Sequence, residues 1–106
     1  MYLVRRVWVA KPREARRAAT VAAKIGRAHE NADQRHSVRV YFNSGTTPGD
    51  KDRVIMEWIT ETLESPYRAG NESPAPATDL GPQLRELTTE SWIEFYELLT
   101  EDKYLD

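Results

Sequence analysis

Two segments with alternating residue types constrain the fold of this 106-residue chain more than any other feature. Residues 37–43 (SVRVYFN) and 52–60 (DRVIMEWIT) alternate with a period of two, which is typical of β-strands with two chemically different faces. Residues 44–51 between them are rich in Gly, Thr and Pro, which favours a turn. The pattern therefore predicts a β-hairpin.

The alternation also predicts how the two strands align. If like faces stay together, Arg39 lies opposite Glu57 and Tyr41 lies opposite Ile55. This mixed polar face is where a pocket could form. The other face is apolar and consists of Val38, Val40, Phe42, Val54, Met56 and Trp58.

The rest of the chain predicts one further strand and three helical regions. Residues 2–9 are β-branched and aromatic and predict a first strand, and an alanine-rich pattern predicts a helix over 13–31. Prolines and glycines predict a long connection over about 65–82, with a short helix over 82–87. Residues 90–100 carry apolar side chains at helical spacing and predict a final helix.

This order predicts an α+β fold of the ferredoxin-like type, βαββα, in which the last strand is missing or is formed by the tail or the long connection. Two helices would cover one face of an antiparallel sheet. The other face would be half-apolar and open, and such a face seldom stays exposed in a soluble protein. Two subunits that stack these faces would bury it.

The chain resembles the dimeric α+β barrel superfamily, and within it NIPSNAP-type proteins and antibiotic-biosynthesis monooxygenase-like domains. The likeness rests on residues 2–8 (YLVRRVW), 39–42 (RVYF), 53–58 (RVIMEW) and 92–96 (WIEFY). It implies ferredoxin-like subunits that pair sheet to sheet into a dimeric α/β barrel. The superfamily includes cofactor-independent oxygenases, haem proteins and small-ligand isomerases, so the fold alone does not define a function.

Composition indicates a single domain over residues 1–106. No apolar run approaches the roughly 18 residues that span a membrane. The amino terminus lacks the pattern of a secretory signal and there is no cysteine, so we expect a cytoplasmic protein without disulfides.

Charge is unevenly distributed along the chain. Residues 1–39 hold ten Lys or Arg against three Asp or Glu, a net +7, whereas residues 40–106 hold five against fourteen, a net −9. A nucleic-acid surface on the basic helix is one interpretation. Packing of basic against acidic elements is the other, and the acidic half would repel phosphate. We therefore predict no nucleic-acid partner and no membrane partner.

The polar hairpin face supplies the candidate site. Glu57 could act as a general base, with Arg39 and Tyr41 orienting an anionic intermediate. The alternative is a structural cross-strand ion pair between Arg39 and Glu57. The candidate catalytic residues are Glu57 and Tyr41, and the candidate ligand-binding residues are Arg39, Arg6, Ile55 and Trp8.

Metal and cofactor signals are weak. His29 and His36 have no further ligands at metal spacing, and there is no phosphate-binding glycine loop. We predict no metal and no cofactor. Tryptophan side chains could stack a planar ligand or could simply be core residues.

The leading functional hypothesis is a small homodimer that binds an apolar or aromatic small molecule in a sheet-lined cavity. If it is an enzyme, the favoured reaction is cofactor-independent oxygenation, which would be monooxygenase-like, or proton transfer. The alternative is a non-catalytic interaction or assembly protein.

Overall fold

The structure, a computed structural model, describes residues 1–64 and 69–106. It contains a four-stranded antiparallel sheet and two helices in the order βαββαβ. The spatial order of the strands is β2-β3-β1-β4, which is the ferredoxin-like arrangement. The elements are β1 (Tyr2–Ala10), α1 (Ala15–Asn31), β2 (His36–Asn43), β3 (Arg53–Thr60), α2 (Ala75–Leu87), β4 (Thr88–Glu97) and a 3₁₀ turn (Glu101–Lys103).

The predicted hairpin is confirmed in its pairing. Arg39 pairs with Glu57 and Tyr41 pairs with Ile55 across β2 and β3. β2 contains a bulge between His36 and Arg39, and within it Ser37 adopts a positive φ of 55°.

The helix α1 lies close to the sheet because its buried stripe is made of small residues. Ala18 and Ala22 are fully buried, and a Cβ atom added to Gly26 would come within 2.6 Å of a Val38 methyl carbon. Under the helices, Val54 and Met56 of β3 are the largest fully buried side chains. α1 therefore covers mainly the β2–β3 half of the sheet.

The final predicted helix over 90–100 is wrong, because this segment forms the edge strand β4. Its aromatic and β-branched residues satisfy helical spacing but favour a strand, and antiparallel pairing with β1 satisfies its backbone. Both faces carry apolar side chains: Ile93 and Phe95 on the helix side, Trp92 and Tyr96 on the other. β4 is therefore the last strand of the ferredoxin-like fold, which was expected from the sequence to be missing or to come from the tail or the long connection.

The connection predicted over 65–82 ends earlier than predicted, because its second half is helical. α2 begins at Ala75 and includes Pro82, whose ring is exposed and whose missing N–H removes one helical hydrogen bond. Pro76 fits the first turn, where that N–H has no partner within the helix. The part of the predicted connection at 65–68 lies outside the described residues.

Candidate ligand-binding cavity

A cavity of about 610 Å³ lies between the helices and the sheet face that they cover. This volume is in the range of small-molecule sites, roughly 300–1,000 Å³. The cavity extends under the part of the sheet that α1 leaves uncovered, towards β1 and β4. Its lining is mixed, and the apolar and aromatic part of the wall includes Val4, Trp8, Met56, Trp58, Ile93 and Phe95.

Arg6 brings a positive charge into this wall. It lies in β1 between Val4 and Trp8 on the same face, because alternate residues of a strand share a face. Its guanidinium carbon lies 5.0 Å from the centre of the Trp8 ring, within cation–π distance. Burial lowers the pKa of Arg6 from its ordinary value.

Arg35 brings a second positive charge from the loop between α1 and β2. Its guanidinium carbon lies 3.9 Å from the centre of the Trp58 ring, and its Nη1 donates to the Met56 sulfur at 3.4 Å. Burial, and next the neighbouring charge of Arg6, lower the pKa of Arg35 to about 10. Arg35 is therefore still a cation at neutral pH, and Arg6 carries a guanidinium, a group that keeps its proton in proteins.

A hydrogen-bonded chain fixes the rim of the cavity next to Arg35. His29 Nδ1 donates to Gln34 Oε1 at 2.8 Å, and Gln34 Nε2 donates to the carbonyl oxygen of Glu72 at 2.6 Å. Gln34 thereby connects the end of α1 with the segment that precedes α2. Burial and then the charge of Arg35 lower the pKa of His29, and the hydrogen bond to Gln34 partly opposes this.

The other sheet face holds the remaining sequence candidates. Arg39, Tyr41, Ile55 and Glu57 lie on this open face, which no helix covers. Glu57 does not pair with Arg39 as the structural alternative expected. It accepts hydrogen bonds from Arg5, at 3.2 Å from Nε and 3.0 Å from Nη2, because Arg5 lies directly opposite it on β1.

A second carboxylate reinforces the charge pairing on the open face. Glu94 lies 3.9 Å from Arg5 Nη1 and accepts hydrogen bonds from Trp92 Nε1 and the Tyr96 hydroxyl, each at 2.7 Å. These two donors, then the charge of Arg5, hold the pKa of Glu94 below its usual value. Arg5 thus has two carboxylate neighbours on this face.

The structure separates the candidate residues that the sequence had grouped. Arg6 and Trp8 line the cavity, whereas Arg39, Tyr41, Ile55 and Glu57 lie across the sheet from it. Two cavity residues were not among the candidates predicted from the sequence: Arg35, which precedes β2, and Trp58, which was assigned to the apolar face of the hairpin. The sequence did contain one indication of a site on this face, since a cation such as Arg6 is unusual between two core residues.

Comparison with solved structures shows the fold. The chain is similar to protein Atu4242 from Agrobacterium tumefaciens, at 13% identity and a TM-score of 0.72, covering 95% of this chain and 96% of that one. It is also similar to a NIPSNAP family protein from Agrobacterium tumefaciens strain C58, at 17% identity and a TM-score of 0.65, covering 99% and 98%. An antibiotic biosynthesis monooxygenase matches at 13% identity and a TM-score of 0.58, covering 94% and 100%.

The chain has a ferredoxin-like fold, which it shares with these solved structures. The sequence matches no protein-family model and no curated protein. The fold and the resemblance to NIPSNAP and monooxygenase-like proteins are thus confirmed, and a shared fold does not by itself define a function. No helix in the described part of the chain is long and apolar enough to cross a membrane.

Proposed function

We propose that this protein is a cytoplasmic homodimer whose subunits each bind a small, flat, apolar or aromatic molecule in the cavity between sheet and helices. The observation that carries the proposal is the cavity itself, which has the volume of a ligand site and indole rings of Trp8 and Trp58 in its wall. Aromatic walls favour flat ligands because ring stacking adds to burial of apolar area.

The open sheet face supports the homodimer. Tyr41, Ile59, Trp92 and Tyr96 are each between 38% and 49% exposed there, which is a large apolar area for a face without a cover. The face also pairs its own charges, as between Arg5 and Glu57. Because paired charges lose less on desolvation than isolated ones, a second copy can cover them at modest cost.

Glu57 and Tyr41 remain candidates for chemistry only if a ligand binds on the open face. In the arrangement proposed here they contribute to the sheet and the dimer, and the ligand contacts are made by the cavity residues. The two locations are separated by the thickness of the sheet, so an experiment can distinguish them.

The indole N–H signals in a ¹H–¹⁵N NMR spectrum provide that experiment. Trp8 and Trp58 line the cavity and Trp92 lies on the opposite face, so the three signals report on two locations. Titration with naphthalene- and quinoline-sized compounds, neutral and anionic, should shift the signals of Trp8 and Trp58 and leave that of Trp92. Shifts at Trp92 alone, or none at any of the three, would overturn the proposed cavity function.

A further inference from the structure

Three arginines of the described residues line the cavity, and two of them, Arg6 and Arg35, differ from every other arginine in the described part of the chain. Arg6 and Arg35 are half-buried, yet neither lies within ion-pair distance of a described carboxylate. The other described arginines are either paired with a carboxylate, like Arg5, or exposed, as are Arg13, Arg16, Arg39 and Arg85.

Stacking on tryptophan uses only part of the binding capacity of each guanidinium group. A guanidinium has two flat faces and an edge of five N–H donors. The Trp58 ring covers one face of Arg35, and the donor contacts among the described residues amount to one weak bond to the Met56 sulfur. No fully enclosed side-chain nitrogen in the described residues lacks a partner, so the unused donors of Arg6 and Arg35 face open space.

Two cations in one partly desolvated space are unfavourable without a counter-charge. Each guanidinium raises the electrostatic cost of the other, and burial adds to that cost. An anion between them would remove the repulsion and use the free N–H donors. A carboxylate fits best, since guanidinium binds its two oxygens through parallel hydrogen bonds.

We propose that the ligand is a flat aromatic carboxylate, whose carboxylate binds Arg6 and Arg35 and whose ring lies against the aromatic wall that contains Trp8, Trp58 and Phe95. This inference rests on the proposed function, because it names the class of molecule that the same cavity takes. The ring and the charge make separate contributions, and each can be removed by itself.

Isothermal titration calorimetry with 2-naphthoate and its neutral analogue 2-naphthamide tests the charge. The two probes share a ring system and differ in the anion. Since charge-assisted hydrogen bonds are the strong ones, we expect 2-naphthoate to bind about 10- to 100-fold more tightly than 2-naphthamide.

Matched arginine variants test the position of the charge. R6Q and R35Q should each weaken 2-naphthoate binding by about 10-fold or more and leave 2-naphthamide binding within about 2-fold. R39Q makes the same chemical change on the open face and should leave both affinities within about 2-fold of wild type. R6K and R35K keep the charge and should retain intermediate affinity, which shows that any loss does not come from misfolding.

The outcomes separate this inference from the function on which it rests. Equal binding of the two probes, unchanged by R6Q and R35Q, would overturn the carboxylate and leave a neutral-ligand cavity standing. Loss of 2-naphthoate binding in R39Q, with R6Q and R35Q unaffected, would place the anion on the open face and overturn it as well. Absence of binding for both probes, with no indole shift from the wider panel, would overturn both proposals.

Discussion

The two faces of the sheet use the same residue types in opposite ways. Arg5 and Arg6 are neighbours in β1, but Arg5 contacts Glu57 and Glu94 on the open face, whereas Arg6 faces the cavity with no carboxylate partner among the described residues. The open face pairs Arg5 with two carboxylates and leaves apolar side chains exposed. The cavity face is incomplete and needs a counter-charge. The difference indicates which face is built for association and which for a ligand.

The largest expected effect concerns the open face. Ile55 lies opposite Val7 and Tyr41 in the middle of this face, so I55K would place an unpaired charge inside the proposed dimer interface. Burying such a charge costs several kcal/mol, and we expect dimer association to weaken by at least about 100-fold. Analytical ultracentrifugation should show wild type at twice the 12.2 kDa chain mass and I55K at the chain mass.

A23K is the control for this prediction, since it adds the same charge on the exposed side of α1 and should leave the dimer intact. A wild-type protein that sediments at the chain mass at every concentration would show that the open face has another role. An I55K protein that remains dimeric would show that the subunits meet elsewhere.

The second prediction compares the adjacent arginines directly. R5Q removes the partner of Glu57, whose side chain is only 19% exposed, and should lower the free energy of unfolding by about 1–2 kcal/mol. This corresponds to a fall in melting temperature of roughly 5–10 °C. R6Q removes an unpaired, partly desolvated cation beside Arg35 and should leave the melting temperature unchanged or slightly raised.

Melting curves of the ligand-free proteins at one fixed chain concentration check this, because a dimer's melting temperature depends on concentration. R39Q is again the control and should stay within a few degrees of wild type. Equal destabilisation by R5Q and R6Q would mean that Arg6 has a structural partner, and the contrast between the faces would fail.

The smallest expected effect is the pH dependence contributed by His29. Burial and the charge of Arg35 place its pKa in the folded protein below the ordinary 6.5, so the unfolded chain takes up the proton first. The stabilising contribution is therefore present above about pH 6.5 and is lost as the pH falls through the folded pKa. Between pH 8 and pH 5 the melting temperature of wild type should fall further than that of H29Q. Parallel curves would show that His29 is not held in its neutral form by the cavity.

The sequence predicted the parts of this fold that depend on local periodicity. The hairpin register follows from alternation in β2 and β3, and α1 follows from its alanine stripe. β4 was missed because apolar residues on both faces of an edge strand fit helical spacing as well, and only pairing with β1 decides between them.

The site was harder to predict for a physical reason. Alternation placed Arg5 and Arg6 on opposite faces, but it did not say which of them would find a carboxylate. That depended on β4, which brings Glu94 to Arg5, and on the loop that brings Arg35 over Trp58 and close enough to Arg6 for the charge of Arg6 to lower the pKa of Arg35. Contacts between distant parts of a chain leave no periodic signal.

A crystal structure of the complex with 2-naphthoate would show directly where the anion binds. We expect the carboxylate within hydrogen-bonding distance of the Arg6 and Arg35 guanidinium groups, and the naphthalene ring against the aromatic part of the cavity wall. A carboxylate bound to Arg39 or Arg5 on the open face, with the cavity empty, would contradict it.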